Sequence, residues 1–574
     1  MIRLWRMMST KKVVLILLLT LLEATSFLLL PTLASDALNR SAGASSRGPV
    51  LIIGTIMALA TIVAIVLGVI ATRLSAQESQ GLGNSLRKSL FKKVLSFSQE
   101  ELVQFQTSTL LTRTTNDVMQ IQMVTMMMLR LIIMSPLIMI VSFFFAFQRE
   151  SQLAWIFAIT LPLIILFASI VLKFASPVFR SIQKKTDRLN KVFREGLTGI
   201  RVIRAFGTTH YEEKRFDDAN KDFRDTIILA NSILALILPG MLLVICVANT
   251  LIFTNGSHLI AANKMEIGNL IAFIQYGVQV LFSVLQMAMI LFFLPRAQVS
   301  AERILEIMDT DIKIQDQQEA LDFPTDEPVT LSFSNVDFCF PGAQRPALKG
   351  INFKAKAGDT IAVIGGTGSG KTTLAKLLPR LYDTTAGEIK VNGHNIKAYK
   401  QAELRKHIGY APQNALLFHG TIASNVRYGK PEASEEDIWD ALNIAQAEFV
   451  DDLPEKLDSR VEQRGQNFSG GQRQRLSIAR AIVGQPAIYI FDDSFSALDY
   501  QTDYQLREAL RPLAQNAITM IIAQRVNTVM NADQILVLDN GKIVGTGTHE
   551  ELKANNKIYK DIVHSQMKGG DDDE

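Results

Sequence analysis

An α-helical polytopic membrane domain followed by an α/β domain is the fold class this sequence predicts, on three observations. Residues 1–300 contain six long apolar runs with almost no charge. From residue 329 the pattern changes to short β-like runs alternating with helical ones. The charge balance changes as well: residues 1–300 hold 29 Lys and Arg against 16 Asp and Glu, and the rest hold 30 against 39. With 48% hydrophobic and 20% charged residues in 574, intrinsic disorder is excluded. Two cysteines, Cys246 inside an apolar run and Cys339, exclude a disulfide scaffold.

The apolar runs come first. Charge-free stretches cover 50–72, 131–147, 151–172, 226–263 and 267–295, and a sixth, 13–35, is interrupted only by Glu23. A bilayer core of roughly 30 Å needs about 20 helical residues, so each run supplies a spanning helix, the 17-residue run 131–147 together with its flanks. The expected spans are 13–35, 50–72, 123–147, 151–172, 226–256 and 267–295. Buried helices of a large soluble core are seldom apolar on every side for so long. A cleaved signal peptide is disfavoured for the first run, which is long for an h-region and contains Glu23.

The connections 73–122 and 173–225 are long, whereas 36–49, 148–150 and 264–266 are short. Thirteen Lys and Arg lie in 173–225, and Arg3, Arg6, Lys11 and Lys12 precede the first run, while each short loop carries at most two. The positive-inside rule therefore puts the N-terminus, both long loops and the C-terminal half in the cytoplasm. Around 86–95 and 189–206 apolar residues recur at three- and four-residue steps, so the helices continue beyond the membrane. The run 226–263 would reach about 57 Å as one helix, with Pro239-Gly240 as its expected kink.

Polar groups inside spans are costly against lipid. Glu23, Asn249, Gln275 and Gln286 are candidates for lining an internal cavity. Arg130 is read as snorkelling or as an interhelical hydrogen-bond donor. Met119, Met123, Met126, Met127 and Met128 form an adaptable apolar surface suited to helix packing or to a ligand.

An acidic, Pro-containing linker, 306–328, separates the membrane domain, 1–305, from the α/β domain, 329–567, and the chain ends in an acidic tail, 568–574. Strands are expected at 360–364, 487–491, 519–522 and 534–538, with helices at 372–381 and 504–513, on a largely parallel sheet. The first strand runs into Gly365, Gly366, Thr367, Gly368, Ser369, Gly370, Lys371 and Thr372, the pattern G-x-x-x-x-G-K-[ST]. Its glycines let backbone N–H groups curl around phosphate oxygens, Lys371 reaches the outer phosphates, and the Thr372 hydroxyl ligates Mg²⁺. The strand 487–491 ends in Asp492, where a Mg²⁺-directing carboxylate belongs. Between them Ser469, Gly470, Gly471 and Gln472 open a helix and form a second anion site. Two phosphate-binding elements so far apart suggest a nucleotide shared between two copies of the domain.

On these residues the α/β domain resembles the nucleotide-binding domain of ATP-binding cassette (ABC) proteins, and the stretch 469–472 resembles that family's signature motif. Six spans with long helical cytoplasmic loops before the cassette resemble a half-size ABC exporter of the multidrug type (type I), so the resemblance covers nearly the whole chain. The stretch 195–206 resembles the second intracellular loop of those exporters. The resemblance implies ATP and Mg²⁺ as cofactors, and nucleotide contacts from Phe340 in place of the usual adenine-stacking Tyr, from 365–372, and from Thr373. It implies that Gln413 senses Mg²⁺ and contacts the membrane domain, that Asp499 belongs to the loop crossing the dimer interface, and that 469–472 act on the partner's nucleotide. It further implies a plasma-membrane setting in a bacterium.

Two positions depart from the family. The residue after the Mg²⁺-directing Asp is normally Glu and here is Asp493, and the switch histidine is replaced by Gln524. Asp is one methylene shorter, and Gln cannot carry the charge or proton of imidazole. Either change alone is compatible with a working ATPase. Both beside an intact signature point to a chain that binds ATP and hydrolyses it poorly, as in one subunit of a heterodimeric exporter. The expected function is ATP-driven export of small amphipathic, drug-like or lipid-like compounds by alternating access, with a second half-transporter chain and membrane lipid as partners and no nucleic acid. A competent homodimer and a regulatory or channel-like subunit are the alternatives. An importer is disfavoured because its membrane and cassette parts usually lie on separate chains, and a DNA-acting ATPase because of the spans.

Overall fold

The computed structural model describes residues 1–43, 48–324 and 327–567, and the expected acidic tail lies outside them. The chain divides into two units, one of Met1–Leu95 with Thr107–Thr310, the other of Ser96–Gln106 with the chain from Asp311.

Six stretches of the first unit are long and apolar enough to cross a membrane: Thr10–Ser41, Gly48–Leu95, Thr107–Arg149, Ser151–Thr198, Thr209–Ala261 and Ile267–Met287. Two are single helices of 48 residues, about 72 Å long and so more than twice the bilayer's apolar thickness. The last continues as helix to Asp309. Leu59, Ile62, Ile159, Leu166 and Leu243 are exposed, as lipid-facing side chains are. Ala24, Leu28, Phe157, Phe273 and Tyr276 pack the interior, where the Tyr276 hydroxyl lies 2.6 Å from Thr32 Oγ1.

Two of the deviations in these helices lie one turn before a proline. Pro239 has no amide hydrogen for the carbonyl of Ala235, and the break falls there, between Thr209–Ala235 and Ile237–Ala261, one turn before the Pro239-Gly240 pair. Pro136 likewise leaves the carbonyl of Ile132 without its α-helical donor, and the π turn Met128–Ile132 ends at that residue. Arg130 sits within the turn.

The second unit contains two larger sheets. The six-stranded one runs Lys542–Gly547, Gln534–Asp539, Thr360–Ile364, Ile518–Ile522, Ile488–Asp492, Ile408–Ala411. All its pairings are parallel except the edge strand Lys542–Gly547. Its inner strands are almost wholly buried, as a sheet covered on both faces requires, whereas the edge strand Lys542–Gly547 is not. A four-stranded antiparallel sheet, Leu348–Lys356, Thr330–Phe338, Ala386–Val391, His394–Asn395, adds a layer the largely parallel expectation did not contain. Its first two strands alternate buried and exposed residues, the period of a sheet with one covered face.

Ser96–Gln106 belongs to this unit although spanning helices flank it in sequence. Its helix Gln99–Phe105 starts at a capping box of Ser98 with Glu101. Glu101 Oε1 accepts from the Lys313 amide at 3.3 Å, and the Lys313 ammonium pairs with Glu100.

Candidate functional site

The parallel sheet brings three strand ends to one edge. Ile522 is in register with both Val363 and Asp492, so Gly365, Asp492 and Ala523 leave the sheet together, where α/β folds place their ligands. Gly370 takes φ +106 to start the helix Lys371–Leu377, and a Cβ on Gly365 would lie 2.1 Å from the Leu538 carbonyl, so both positions require glycine.

Inside the loop the Lys371 ammonium donates to the carbonyls of Gly365 at 2.9 Å and Gly366 at 2.8 Å. Burial holds its pKa below the usual lysine range, against the opposing pull of Asp493 and Asp492. The Ser369 hydroxyl is buried with no hydrogen-bond partner, and nothing lies within 4 Å of where a Cβ on Gly366 or Gly368 would stand. An orphaned hydroxyl, a buried cation and an open glycine rim fit a phosphate chain.

Thr372 Oγ1 donates to Asp492 Oδ1 at 3.0 Å, which pairs two hard oxygens as a Mg²⁺ ion would use them. Asp492 is buried, and burial raises its pKa. Its Oδ2 accepts from the Tyr410 hydroxyl at 3.2 Å. Burial first, and then Asp492, pushes that phenol above the usual tyrosine range. Tyr410 is a site residue the sequence reading missed; its position three residues before Gln413 was the available signal.

Asp493 adopts φ +52 and is fixed by its amide on the Ile522 carbonyl at 2.9 Å. Its Oδ2 accepts from Gln413 Nε2 at 3.1 Å and from Gln524 Nε2 at 3.5 Å. Thus the two positions that depart from the expected pattern meet at one oxygen, joined by Gln413. A cavity of about 250 Å³ lined by Asp493, Gln524, Arg525 and Thr528 adjoins them.

Phe340 is 38% exposed and held edge-on by Phe338 at 4.8 Å and Tyr382 at 5.5 Å. Ser469 caps the helix Gly470–Ile482 in a box with Gln472. A Cβ on Gly471 would stand 3.2 Å from the Ala497 carbonyl, so the signature lies against the loop that leads to Asp499. Asp499 in turn caps Tyr500–Ala514, accepting from Thr502 N at 3.0 Å and Thr502 Oγ1 at 2.7 Å, and these bonds lower its pKa. No hydrogen bond joins residues 469–472 to the phosphate loop among the described residues. Thr373 follows Thr372 in the helix Lys371–Leu377.

In the membrane unit, Glu23 and Gln286 line a cavity of about 880 Å³. Arg130 lines it too, and donates to Glu23 at 2.7 and 3.1 Å, so it pairs across the bundle instead of snorkelling. Arg73 and Gln279 are further lining residues that sequence reasoning missed. Asn249 and Gln275 are not among the residues lining it: Asn249 lies by a void of about 10 Å³ with its Oδ1 buried and unpartnered, and Gln275 is exposed. Nothing in their local sequence distinguishes them from Gln286, because helix rotation decides which face they occupy.

Comparisons with known proteins agree with this architecture. A family model described as "ABC transporter transmembrane region" matches residues 13–285, and one described as "ABC transporter" matches 348–496. An uncharacterized ABC transporter ATP-binding protein of Mycobacterium tuberculosis (strain CDC 1551 / Oshkosh) is 37% identical over 559 residues, covering 96% of each chain. The ATP-dependent lipid A-core flippase of Syntrophus aciditrophicus (strain SB) is 32% identical over 85% of this chain and 80% of its own. A solved bacterial Atm1-family ABC exporter with ATP bound has the same fold, at TM-score 0.80 and 24% identity, over 97% of this chain and 98% of that one.

Proposed function

We propose, for a chain that belongs to the ABC transporter family, the role of a heterodimer subunit whose own ATP site turns over slowly and whose signature completes the partner's site. The chain is a half-size exporter, a multi-pass membrane protein and an ATP-hydrolysing transporter, of a type that works as a dimer of half-transporters. The finer reading rests on one observation, the Asp493 carboxylate whose Oδ2 accepts from both Gln413 and Gln524.

In this reading the amides of 365–370 and the Ser369 hydroxyl wrap the phosphates, Lys371 neutralises their outer charge, and Phe340 stacks on adenine. Thr372, Asp492 and Gln413 would hold Mg²⁺, which would supply Lewis-acid polarisation of phosphate oxygens. Asp493 lies at the position from which a carboxylate would orient the attacking water. It is a methylene shorter than the family's Glu, and a shortfall near 1 Å costs about 10²-fold in a positioned reaction. Gln524 offers a neutral amide where an imidazole would follow the γ-phosphate. Binding survives these changes and hydrolysis slows, so turnover runs at the partner's complete site, closed by residues 469–472 of this chain. ATP closes the two cassettes and turns the membrane cavity outward; hydrolysis resets it. The cargo is an amphiphile, a reading supported by the apolar cavity and by a lipid flippase among the relatives. The setting is a bacterial plasma membrane with both termini cytoplasmic.

The decisive measurement is steady-state ATPase activity of the assembled transporter. Asp493→Ala leaves it within a few-fold of wild type, whereas removing the partner's glutamate at the corresponding position lowers it about 10²-fold or more. Loss of turnover on Asp493→Ala alone makes Asp493 a working base and the transporter a catalytic homodimer.

A further inference from the structure

The 880 Å³ cavity of the membrane unit is walled by the first, second, third and last spanning helices. Most of its wall is apolar, from Phe27, Leu30, Ile65 and Phe282, and its size suits a ligand rather than a packing defect. Three charged side chains line it, Glu23, Arg73 and Arg130. Glu23 and Arg130 are largely buried between these helices, where charge is expensive unless it is paired or used, whereas Arg73 follows the apolar run 50–72 and is exposed.

Arg130 and Glu23 are paired, with side chains 18% and 14% exposed. The pair is built into the backbone on two sides. The π turn Met128–Ile132 carries Arg130, and such turns re-aim a side chain at the cost of regular hydrogen bonding. Across from it, Gly68 leaves the carboxylate its space, since a Cβ there would lie 2.7 Å from Glu23 Oε1. Arg73 differs: it makes no hydrogen bond or ion pair among the described residues. Among this chain's described lining residues two guanidinium groups thus stand with one carboxylate, an excess of one positive charge. A guanidinium has five N–H donors; Arg130 commits two to Glu23, and Arg73 commits none within the protein.

We propose that this cavity selects amphiphiles with an anionic head group, phosphate or carboxylate, over cationic ones of the same shape. Arg73 receives the head with its planar fork, the free N–H groups of Arg130 share it, and Gln279 and Gln286 offer amide donors beside them. The apolar wall takes the chain. The proposal rests on the exporter reading and names the class of its cargo.

The test uses the full chain, assembled with the chain it works with, in nucleotide-free nanodiscs. Fluorescent lysophosphatidic acid and a fluorescent alkyltrimethylammonium of equal chain length are titrated separately, and inorganic phosphate is added as competitor. Lysophosphatidic acid binds at least tenfold tighter than the ammonium, Arg73→Gln loses about tenfold for the phosphate probe, and Arg73→Lys, which keeps the charge without the fork, regains only part of it. Equal binding of the two probes by the wild type overturns the proposal without any variant, so a misfolded substitution does not decide the matter. Displacement of the probe by millimolar inorganic phosphate overturns it as well, because the site then takes a free anion. ATP-driven movement of the probe in inverted vesicles reports the exporter reading separately: selective binding without movement sinks that reading, and movement without head-group selection sinks this one.

Discussion

The Lys371 ammonium stands in the phosphate loop, where it bonds the carbonyls of Gly365 and Gly366 and is placed to offer positive charge to a triphosphate. Lys371→Ala therefore removes nucleotide binding at this chain's own loop, by tenfold or more, as the loss of a charge-assisted contact does. Photolabelling with an azido-ATP analogue, scored on each chain, checks it; unchanged labelling here would withdraw the phosphate-loop assignment. The loop was legible in the sequence because its pattern is contiguous and each residue type has a separate job. Tyr410 was not, since its bond to Asp492 spans 82 positions. Arg130 stayed open between snorkelling and interhelical pairing for the same reason: its partner Glu23 is 107 positions away, and an arginine in a span looks alike whether it snorkels or pairs.

Among the elements, the helix Ile200–Phe206 has no buried residue, yet Val202 and Phe206 on it are 60% and 78% exposed. An apolar helix at the tip of a long connection, ended by Gly207 in the left-handed region, is shaped for a partner's surface rather than for water. If the helix docks on an ATP-binding unit of the proposed dimer, it would pass that unit's closure to the membrane helices. Phe206→Asp puts a charge into that contact. Cargo-stimulated ATPase activity should fall at least fivefold while azido-ATP labelling stays at wild-type strength; retained stimulation would leave the helix without this role. Helices and parallel strands were legible because each carries its own period. The antiparallel sheet was not, because Thr330–Phe338 finds Ala386–Val391 across almost fifty residues of intervening chain, and only pairing reveals it.

At the scale of the whole molecule, the chain carries an intact signature beside an altered hydrolytic pair, and in the proposed assembly the two serve different nucleotides. Ser469 and Gln472 cap their helix reciprocally, which holds its first turn rigid and leaves the glycine amides of 470 and 471 free of side-chain cover. No hydrogen bond ties them to this chain's own phosphate loop among the described residues, and in the proposed pair their anion is the partner's. Ser469→Arg inserts bulk and removes the cap at that helix start, and it spares residues 365–372, Asp493 and Gln524. If turnover runs at the partner's site, this change on the slow chain should suppress steady-state ATPase activity of the pair about 10²-fold, on the scale of losing a positioned transition-state contact. Azido-ATP labelling of this chain's own loop should persist. The outcome separates two assemblies that look identical from one chain. Wild-type turnover in Ser469→Arg, together with loss of turnover in Asp493→Ala, would mean that this chain's own Asp493 performs the hydrolysis.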